Sequence, residues 1–243
     1  MCIRDSHEAI STAELTLLML SDAAAIREAL EPHGRLPDLA GRTLCQMGTI
    51  APRESIALLE DVRRVGGEYL EAPVLGSRPQ ARSGKLIVMV GGTEEQFQRW
   101  LGILEDVGEH PRHIGKVGQA AALKLAYNQL IGSQLIGFAT ALALVRHHGI
   151  DTEDLMVQLR QSALYAPTFD AKLSRLESRD FADPNFPARL LLKDLDLARQ
   201  VADEIGLNTA ALEGLCNLVE AAVEQGLGDQ DYSVIGAVID PHG

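Results

Sequence analysis

The sequence has few cysteines and no cysteine or histidine pattern that is typical of disulfide-rich or metal-binding proteins. It contains three cysteines, Cys2, Cys45 and Cys216, which are far apart, odd in number and without a Cys-x-x-Cys pair. Neither a disulfide framework nor a structural zinc site is therefore indicated, and a reducing cytosol fits best. The seven histidines show no metal-ligand spacing, and helix capping or surface positions explain them better. We expect no metal.

Positive charge is also scarce. The chain has 22 Lys and Arg against 34 Asp and Glu, a net charge of −12, and no cluster of basic residues interleaved with aromatics. Nucleic acid is therefore not an expected partner. There is no signal-peptide pattern, and the charge-free stretch 129–145 falls just short of a usual membrane span and contains Gln and Ser. It predicts a buried core or oligomer-interface helix in a cytoplasmic protein rather than a membrane helix.

The chain is long and apolar enough to fold into one large or two medium domains. It has 243 residues, of which 46% are hydrophobic, and this supports a globular protein with a proper core. The first six residues, MCIRDS, fit no capping or periodic pattern that continues into the residues after them. We interpret residues 1–6 as a non-native scar and leave them out of the fold prediction.

The first half of the chain alternates between short apolar runs and helical patterns. Strands are predicted within residues 14–22, 41–47, 67–73, 85–90 and 111–114. Helices are predicted after Asp22, from Pro52 to about residue 65 and at residues 94–104, with a loop at 74–84. This alternation predicts an α/β domain with a mostly parallel, doubly wound sheet.

The second half has only helical patterns. A helix of roughly 45 Å is predicted within residues 115–151. Further helices are predicted at residues 152–161, 168–178, 187–205 and 209–225, with a short piece after Asp231. We place the domain boundary near Gly115, between an α/β domain at 1–114 and an all-helical domain at 115–243 that the long helix joins to it.

One lysine interrupts the apolar first half of the long helix. Lys124 and Asn128 are four residues apart, so both side chains project from one helical face. A lysine held among apolar neighbours loses its proton more readily and can act as an acid or base in catalysis. The alternative is that Lys124 extends to water from a core helix. The helix alone does not decide between these interpretations.

Four segments, taken together, decide it. They are GTIAP at 48–52, EAPVLGS at 71–77 with GKLIVMVGG at 84–92, GQA at 118–120 leading to KLAYN at 124–128, and LKDLDLA at 192–198. In this order the segments resemble the β-hydroxyacid dehydrogenase family, and GDQDYS at 228–233 adds a fifth. The resemblance implies a Rossmann-type domain followed by the helical domain. It also implies hydride transfer between NAD or NADP and a small 3-hydroxy acid or aldehyde acid.

The resemblance implies a role for each candidate residue. Lys124 looks like the catalytic acid or base, and Asn128 would hold it or the substrate in place. Thr49 and the pair Leu20-Ser21 would contact the cofactor, although helix capping is the alternative for each. Lys193 would reach the cofactor, while Asp194 and Phe186 would line the substrate site; surface charge is the alternative for the two charged residues.

The predicted substrate loop departs from the family pattern. Where the family has a serine after Pro-Val, this chain has Leu75, which leaves the backbone amides of Gly76 and Ser77 and the Ser77 hydroxyl to bind a carboxylate. This form of the loop is closer to the glyoxylate/succinic semialdehyde reductase branch of the family. The departure bears on the substrate more than on the reaction type.

The family's Gly-x-Gly-x-x-Gly turn is not found in residues 1–243. Because that turn binds the pyrophosphate of the cofactor, we expect that roughly forty to fifty N-terminal residues are missing and that the chain as given is inactive. The remaining expectations are a homodimer or homotetramer and a small-molecule acid as partner. The alternative function is a non-catalytic oligomerisation module built on the same fold.

Overall fold

The computed structural model of the chain describes residues 6–31 and 34–242. The segment interpreted as a scar lies outside the described residues except for Ser6, with which the first helix begins. The chain divides into two compact units, Met1–Tyr127 and Asn128–Gly243, which we call the N-terminal and C-terminal units. They separate within the long helix, and the predicted domain boundary near Gly115 remains a prediction.

The N-terminal unit alternates between strands and helices as predicted. Its elements are α1 (Ser6–Thr12), β1 (Leu15–Leu18), α2 (Ala23–Leu30), β2 (Thr43–Gln46), α3 (Pro52–Arg64), β3 (Glu68–Glu71), β4 (Val74–Leu75), α4 (Arg78–Arg82), β5 (Leu86–Gly91), α5 (Glu94–Val107) and β6 (Gly108–Gly115). Asp22 caps α2 through a hydrogen bond from the Ala25 amide. Pro52 opens α3, where its missing N–H costs nothing.

The sheet is mostly parallel, and this part of the prediction is confirmed. Strands β1, β2 and β3 pair in parallel, as do β5 and β6. Strand β5 runs antiparallel to both β3 and β4, and the pairs Glu71 with Gly91 and Val74 with Val88 belong to one continuous register. The order along the sheet is β1-β2-β3-β5-β4, with β6 pairing to β5.

Both faces of this sheet are covered. Neighbouring residues of one strand enter different hydrophobic clusters: Leu44 packs with Ile26 and Leu58, while Cys45 packs with Trp100 and other residues. Since side chains alternate between the two faces of a strand, the two clusters lie on opposite faces. This is the doubly wound arrangement that the sequence predicts.

The predicted loop at residues 74–84 is wrong. The segment contains strand β4 and the five-residue helix α4. A two-residue strand has no detectable period, and Val74 and Leu75 become a strand only because β5 offers them partners at Val88 and Ile87. Helix α1 was not predicted, and only its first residue, Ser6, belongs to the segment that the fold prediction left out.

The long helix α6 runs from Gln119 to His147, as predicted. Among the described residues it is the one helix long and apolar enough to cross a membrane by length and composition, and 33% of its most apolar window is buried in the chain. Core helices of soluble proteins pass the same test.

Apart from an isolated β-bridge between Pro187 and Asp231, the regular elements of the C-terminal unit are all helical over its described residues. After α6 come α7 (Thr152–Arg160), α8 (Pro167–Ser178), α9 (Ala188–Glu204) and α10 (Ala210–Ala222), followed by a π turn (Val223–Leu227), a 3-10 turn (Tyr232–Val234) and α11 (Ile235–Ile239). Its core includes Leu135, Phe138, Leu191, Leu195 and Val219. The helical prediction is therefore confirmed.

Candidate active site

The two predicted cofactor turns lie side by side at one edge of the sheet. Because β1 and β2 are parallel neighbours, the turns that follow them emerge together at their carboxyl ends. A Cβ on Gly48 would stand 2.2 Å from the Leu20 carbonyl oxygen, so only a glycine allows the two turns to approach this closely. Leu20 and Thr49 are half-buried and Ser21 is exposed. The structure brings three of the four predicted cofactor residues to one edge; the fourth, Lys193, lies in the C-terminal unit.

The capping alternatives for these residues are wrong. The residue that caps α2 is Asp22, and the Ser21 hydroxyl donates to its carboxylate at 2.8 Å. At α3 the cap position is Ala51, whose backbone N–H donates to the Glu54 carboxylate at 2.7 Å. Thr49 and Ser21 therefore do not cap the helices that follow them. Their predicted roles at the cofactor remain predictions.

The predicted substrate loop is folded back on itself. Leu75 is half-buried in β4, and Gly76 has a φ of +130°, a conformation that side chains disfavour. The backbone N–H and the hydroxyl of Ser77 both donate to the Gln80 side-chain oxygen, each at 3.0 Å. Both Ser77 donors that the sequence assigns to a carboxylate are thus occupied by Gln80, which must turn away before an anion can bind there.

Lys124 stands near the start of α6 and is half-buried. The start of this helix is held by Glu71, at the end of β3. One Glu71 oxygen accepts hydrogen bonds from three backbone amides, those of Gly118 at 2.8 Å, Ala120 at 2.9 Å and Ala121 at 3.1 Å. A helix start has four N–H groups without helical partners, and this carboxylate satisfies most of them.

The Glu71 carboxylate is completely buried and has no cationic partner among the contacts described. Its second oxygen accepts a short hydrogen bond from the Ser55 hydroxyl, which also shares a hydrogen bond of 2.9 Å with the Tyr69 hydroxyl. Burial raises the pKa of Glu71 above its usual value, and the bonds from Ser55 and the α6 amides offset this in part. The site is therefore a carboxyl group held by neutral donors.

A second buried carboxylate lies in the C-terminal unit, between the predicted residues Asn128 and Lys193. The Asn128 amide donates to one oxygen of Asp194, and the Lys193 ammonium lies 2.7 Å from the other. Asn128 and Asp194 are buried, and the Lys193 side chain is 25% exposed. The structure thus brings three predicted site residues together, and the alternative that Asp194 is an ordinary surface charge is wrong.

Phe186, the fourth predicted residue of this unit, lies just before α9. Its ring contacts that of Tyr232 edge to face, with ring centroids 5.9 Å apart. It packs at the border of the helical core and is half-buried. Its predicted role, and that of Asp194, in lining a substrate site remain predictions.

Sequence reasoning missed buried charged groups in both units. Glu71 belongs to a segment of the family resemblance but received no role, and Lys172 received none either. The Lys172 ammonium lies 2.7 and 2.9 Å from the two oxygens of Asp231, which also accepts from the amide and hydroxyl of Ser233. The one feature of the sequence that could have indicated Glu71 is its position as a charged residue at the end of a predicted strand. No local pattern indicates Lys172.

Cysteine and metal chemistry find no support in the described part of the chain. Burial raises the pKa of the Cys45 thiol to about 12, and the Cys216 thiol is also buried, with its pKa raised. Protonated thiols are poor nucleophiles. Among the described residues no group of three His, Cys, Asp or Glu could hold a metal ion.

Comparison with known proteins gives two family models that together span most of the chain. The NAD-binding domain of 6-phosphogluconate dehydrogenase matches residues 2–118, and the NAD-binding model of NADP-dependent 3-hydroxyisobutyrate dehydrogenase matches residues 118–239. The junction of the two models lies at Gly118, just before α6.

Individual relatives match over nearly the whole chain. It is 29% identical over 231 residues to glyoxylate/succinic semialdehyde reductase 2, chloroplastic, of Arabidopsis thaliana, covering 94% of this chain and 64% of that protein. It is 29% identical over 247 residues to the NAD-dependent L-serine dehydrogenase of Pseudomonas aeruginosa, covering 98% and 83% respectively. A solved 3-hydroxyisobutyrate dehydrogenase from Salmonella typhimurium has the same fold, with a TM-score of 0.85 at 21% identity over 96% of this chain and 82% of that one.

The chain has a doubly wound sheet followed by an all-helical unit, and two NAD-binding family models match along it. Together these define an NAD-binding protein of the dehydrogenase type. The chain belongs to the β-hydroxyacid dehydrogenase family, as the order of its segments predicts. The predicted cofactor class, NAD or NADP, is confirmed.

The N-terminal unit fits one end of such a cofactor. The close approach of Gly48 to Leu20 places two strand-end turns where doubly wound sheets bind their ligands, which suits the nicotinamide end. The glycine-rich turn that binds a pyrophosphate does not occur in residues 1–243. Leu20, Ser21 and Thr49, at these two turns, would hold the nicotinamide end.

Proposed function

We propose that this chain carries the acid–base and substrate-binding machinery of an NAD(P)-dependent oxidoreductase that interconverts a small 3-hydroxy acid and the corresponding aldehyde acid. The observation that carries this proposal is the position of Lys124. It lies on the first turns of a capped helix, in the same compact unit as the two turns at the carboxyl ends of β1 and β2. A proton carrier and a nicotinamide site are the two parts that this reaction needs.

The chain's own residues would divide the work between them. Lys124 accepts the hydroxyl proton during oxidation and returns it to the carbonyl oxygen during reduction. Leu20, Ser21 and Thr49 bind the nicotinamide end of the cofactor, which when bound supplies or accepts the hydride. In the C-terminal unit, Asp194 accepts the Asn128 amide hydrogen and so fixes the direction in which the Asn128 oxygen points.

The names of the relatives support the substrate class. They are named for glyoxylate, succinic semialdehyde and L-serine, which share a carboxylate with an oxidisable hydroxyl or a reducible carbonyl group. A carboxylate would bind at Gly76 and Ser77 once Gln80 leaves the Ser77 donors. Leu75 in place of a serine favours the glyoxylate/succinic semialdehyde reductase type within this class.

A non-catalytic oligomerisation module is the alternative, and nothing in the site favours it. Such a module has no use for a half-buried lysine near a capped helix start or for a buried Asn128–Asp194 pair. We propose instead a cytoplasmic enzyme that assembles as a homodimer or homotetramer. The apolar surface of α6 that the chain leaves exposed, which includes Leu130 at 49% and Leu144 at 59%, supports assembly through this helix.

Replacing Lys124 tests the proposal. Lys124→Ala should lower kcat by about 10²- to 10⁴-fold and leave the dissociation constant of the cofactor near that of the original chain, because a proton carrier acts mainly in the transition state. The exposed Lys116→Ala is the matched control, since it removes a nearby lysine that we assign no role.

The assay follows the absorbance of the reduced nicotinamide with a panel of hydroxy acids and aldehyde acids. It uses residues 1–243 and, in parallel, the same residues preceded by a glycine-rich NAD-binding turn from a relative. Lys124→Ala turnover close to that of Lys116→Ala would end the assignment of Lys124. If the form of the protein that binds cofactor neither oxidised nor reduced any acid of the panel, the proposed function itself would be wrong.

A further inference from the structure

We propose that Glu71 is a positioning residue for Lys124: its buried carboxylate holds the first turn of α6 and thereby sets where the lysine stands. This inference rests on the proposed function for the role of Lys124, but the contacts of Glu71 stand independently of it. Nothing in the family resemblance assigned a role to this residue.

The first step is the contact itself. A single Glu71 oxygen accepts from the amides of Gly118, Ala120 and Ala121, within 3.1 Å of each. Three donors converging on one oxygen fix the height and the rotation of the helix start relative to β3, because any sliding or turning lengthens at least one bond. The positive end of the helix dipole adds attraction for a carboxylate.

The second step is that Glu71 itself cannot move. Its other oxygen is bonded to Ser55, which is bonded in turn to Tyr69, and all three side chains are buried. A Cβ on Gly91 would stand 2.5 Å from the Glu71 carboxylate, so the carboxylate rests directly on the β5 backbone. The helix start is therefore anchored to α3, β3 and β5 through one side chain.

The third step leads from the helix start to the lysine. Lys124 follows Ala120 by four residues and Ala121 by three, so it occupies the same helical face one turn further on. Helical side chains lean towards the N-terminus, which brings the Lys124 stem over the turn that Glu71 holds. A displaced turn carries the ammonium with it, and a misplacement of about 1 Å can cost about 10²-fold in rate.

The chain offers a matched control for this arrangement. Glu54 also places a carboxylate at a helix start in the N-terminal unit, accepting from the Ala51 amide of α3 at 2.7 Å. It makes none of the contacts to α6 that Glu71 makes. Removing Glu54 therefore disturbs a helix cap of the same unit and leaves the three bonds from the amides to Glu71 in place.

The first measurement needs neither cofactor nor turnover. Amide hydrogen exchange and the side-chain signal of Lys124 in ¹³C-lysine-labelled protein are recorded by NMR on residues 1–243. Glu71→Ala should speed exchange at Gly118, Ala120 and Ala121 by about five- to thirtyfold, the loss of one helix cap, and shift the Lys124 signal. Glu71→Gln, which keeps the accepting oxygen, and Glu54→Ala should leave both near the original values.

The second measurement separates positioning from simple loss of stability. This measurement uses whichever form of the protein shows turnover, residues 1–243 alone or preceded by the glycine-rich turn. There Glu71→Ala should lower kcat by about ten- to a hundredfold with the cofactor dissociation constant unchanged, and Glu71→Gln should have most of the original kcat. In a Lys124→Ala background the same change should cost less than about threefold, because residues that act through one group are not additive. Fluorescence of Trp100, the one tryptophan, reports whether the N-terminal unit is folded in each variant.

The outcomes are distinct. The positioning role would be overturned if Glu71→Ala left the amide exchange and the Lys124 NMR signal unchanged. It would also be overturned if Glu54→Ala changed them as much as Glu71→Ala does. If Glu71→Ala does not fold, Glu71→Asp takes its place, since its shorter side chain cannot reach all three amides and should give the same changes at reduced size. A fully active Lys124→Ala would instead remove the proposed function and leave the exchange result on Glu71 intact.

Discussion

Each unit contains a fully buried carboxylate, Glu71 in one and Asp231 in the other, and the two are held in opposite ways. In the N-terminal unit Glu71 is surrounded by neutral donors, and burial raises its pKa. In the C-terminal unit burial also raises the pKa of Asp231, but the hydrogen bonds from Lys172 and Ser233 and the charge of Lys172 lower it by more, so that it ends below its usual value. The same degree of burial thus has opposite consequences for protonation.

The difference shows what each carboxylate is for. Asp231 and Lys172 form a buried ion pair, and burial in turn lowers the pKa of Lys172, so that each charge depends on the other. Lys172 also lies over the Tyr232 ring, 4.3 Å from its centroid. This pair fastens α8 to the turn before α11. Glu71 instead serves as an acceptor for a helix start, a task that depends more on the position of an oxygen than on a full charge.

Replacing each carboxylate by the corresponding amide, as in Asp231→Asn and Glu71→Gln, should give the largest difference in unfolding free energy between the two sites. Asp231→Asn leaves the Lys172 ammonium buried without its counter-charge, and we expect a loss of about 3–5 kcal/mol in the unfolding free energy of the C-terminal unit. Glu71→Gln keeps an oxygen for the three amides and should change the N-terminal unit by about 1 kcal/mol or less.

Urea unfolding followed by Trp100 fluorescence reports the N-terminal unit. Hydrogen exchange of peptides from α8 and α9 reports the C-terminal unit. Equal losses of unfolding free energy in Asp231→Asn and Glu71→Gln would mean that the Lys172 cation beside Asp231 makes no difference. The two carboxylates would then not be held in opposite ways.

A methyl group placed against Glu71 should have the next largest effect. Gly91→Ala puts a Cβ within 2.5 Å of the Glu71 carboxylate, and overpacking at such a site costs about 1–3 kcal/mol. Its matched control is Gly102→Ala on α5, where nothing lies within 4 Å of the new Cβ. There the better helix propensity of alanine should stabilise the unit by about 0.5–1 kcal/mol. Trp100 fluorescence in urea measures both, and a neutral Gly91→Ala would show that Glu71 is not confined.

The smallest expected effect is a pair of opposite pH slopes, each at most about 1.4 kcal/mol per pH unit. The native pKa of Asp231 is lowered, so its contribution to stability is present above its unfolded pKa of about 3.9 and is lost as pH falls through the native value. The native pKa of Glu71 is raised, so its contribution is present below its unfolded pKa of about 4.3 and is lost as pH rises through the native value.

Unfolding free energies of the original chain, Asp231→Asn and Glu71→Gln across pH 3 to 8 test these signs. The difference between the original chain and Asp231→Asn should shrink towards acid, and the difference from Glu71→Gln should shrink towards neutral pH. Slopes of the same sign for both variants would contradict the assignment of neutral donors to one site and a cation to the other.

The predicted elements came from local patterns, and they are the part of the fold that the structure confirms. The apolar runs at β1, β2, β3 and β5 and the helical periods after Gly115 depend on neighbours a few residues away. The caps at Asp22 and Pro52 are equally local. The candidate site was predictable only as a set of residues matching family segments, and the structure groups them: Leu20, Ser21 and Thr49 at one edge, and Asn128, Lys193 and Asp194 in one cluster.

By itself, then, the sequence determined the order of strands and helices, the family and the identity of the residues offered for chemistry. Local spacing indicates the strands and helices, and the order of matching segments along the chain indicates the family and its candidate residues. Only the tertiary structure decided how buried charges are held. Glu71 meets its amides 47 to 50 residues away, and Lys172 meets Asp231 59 residues away. No local period encodes such contacts, because they exist only once separate elements have packed and excluded the water that would otherwise solvate those charges.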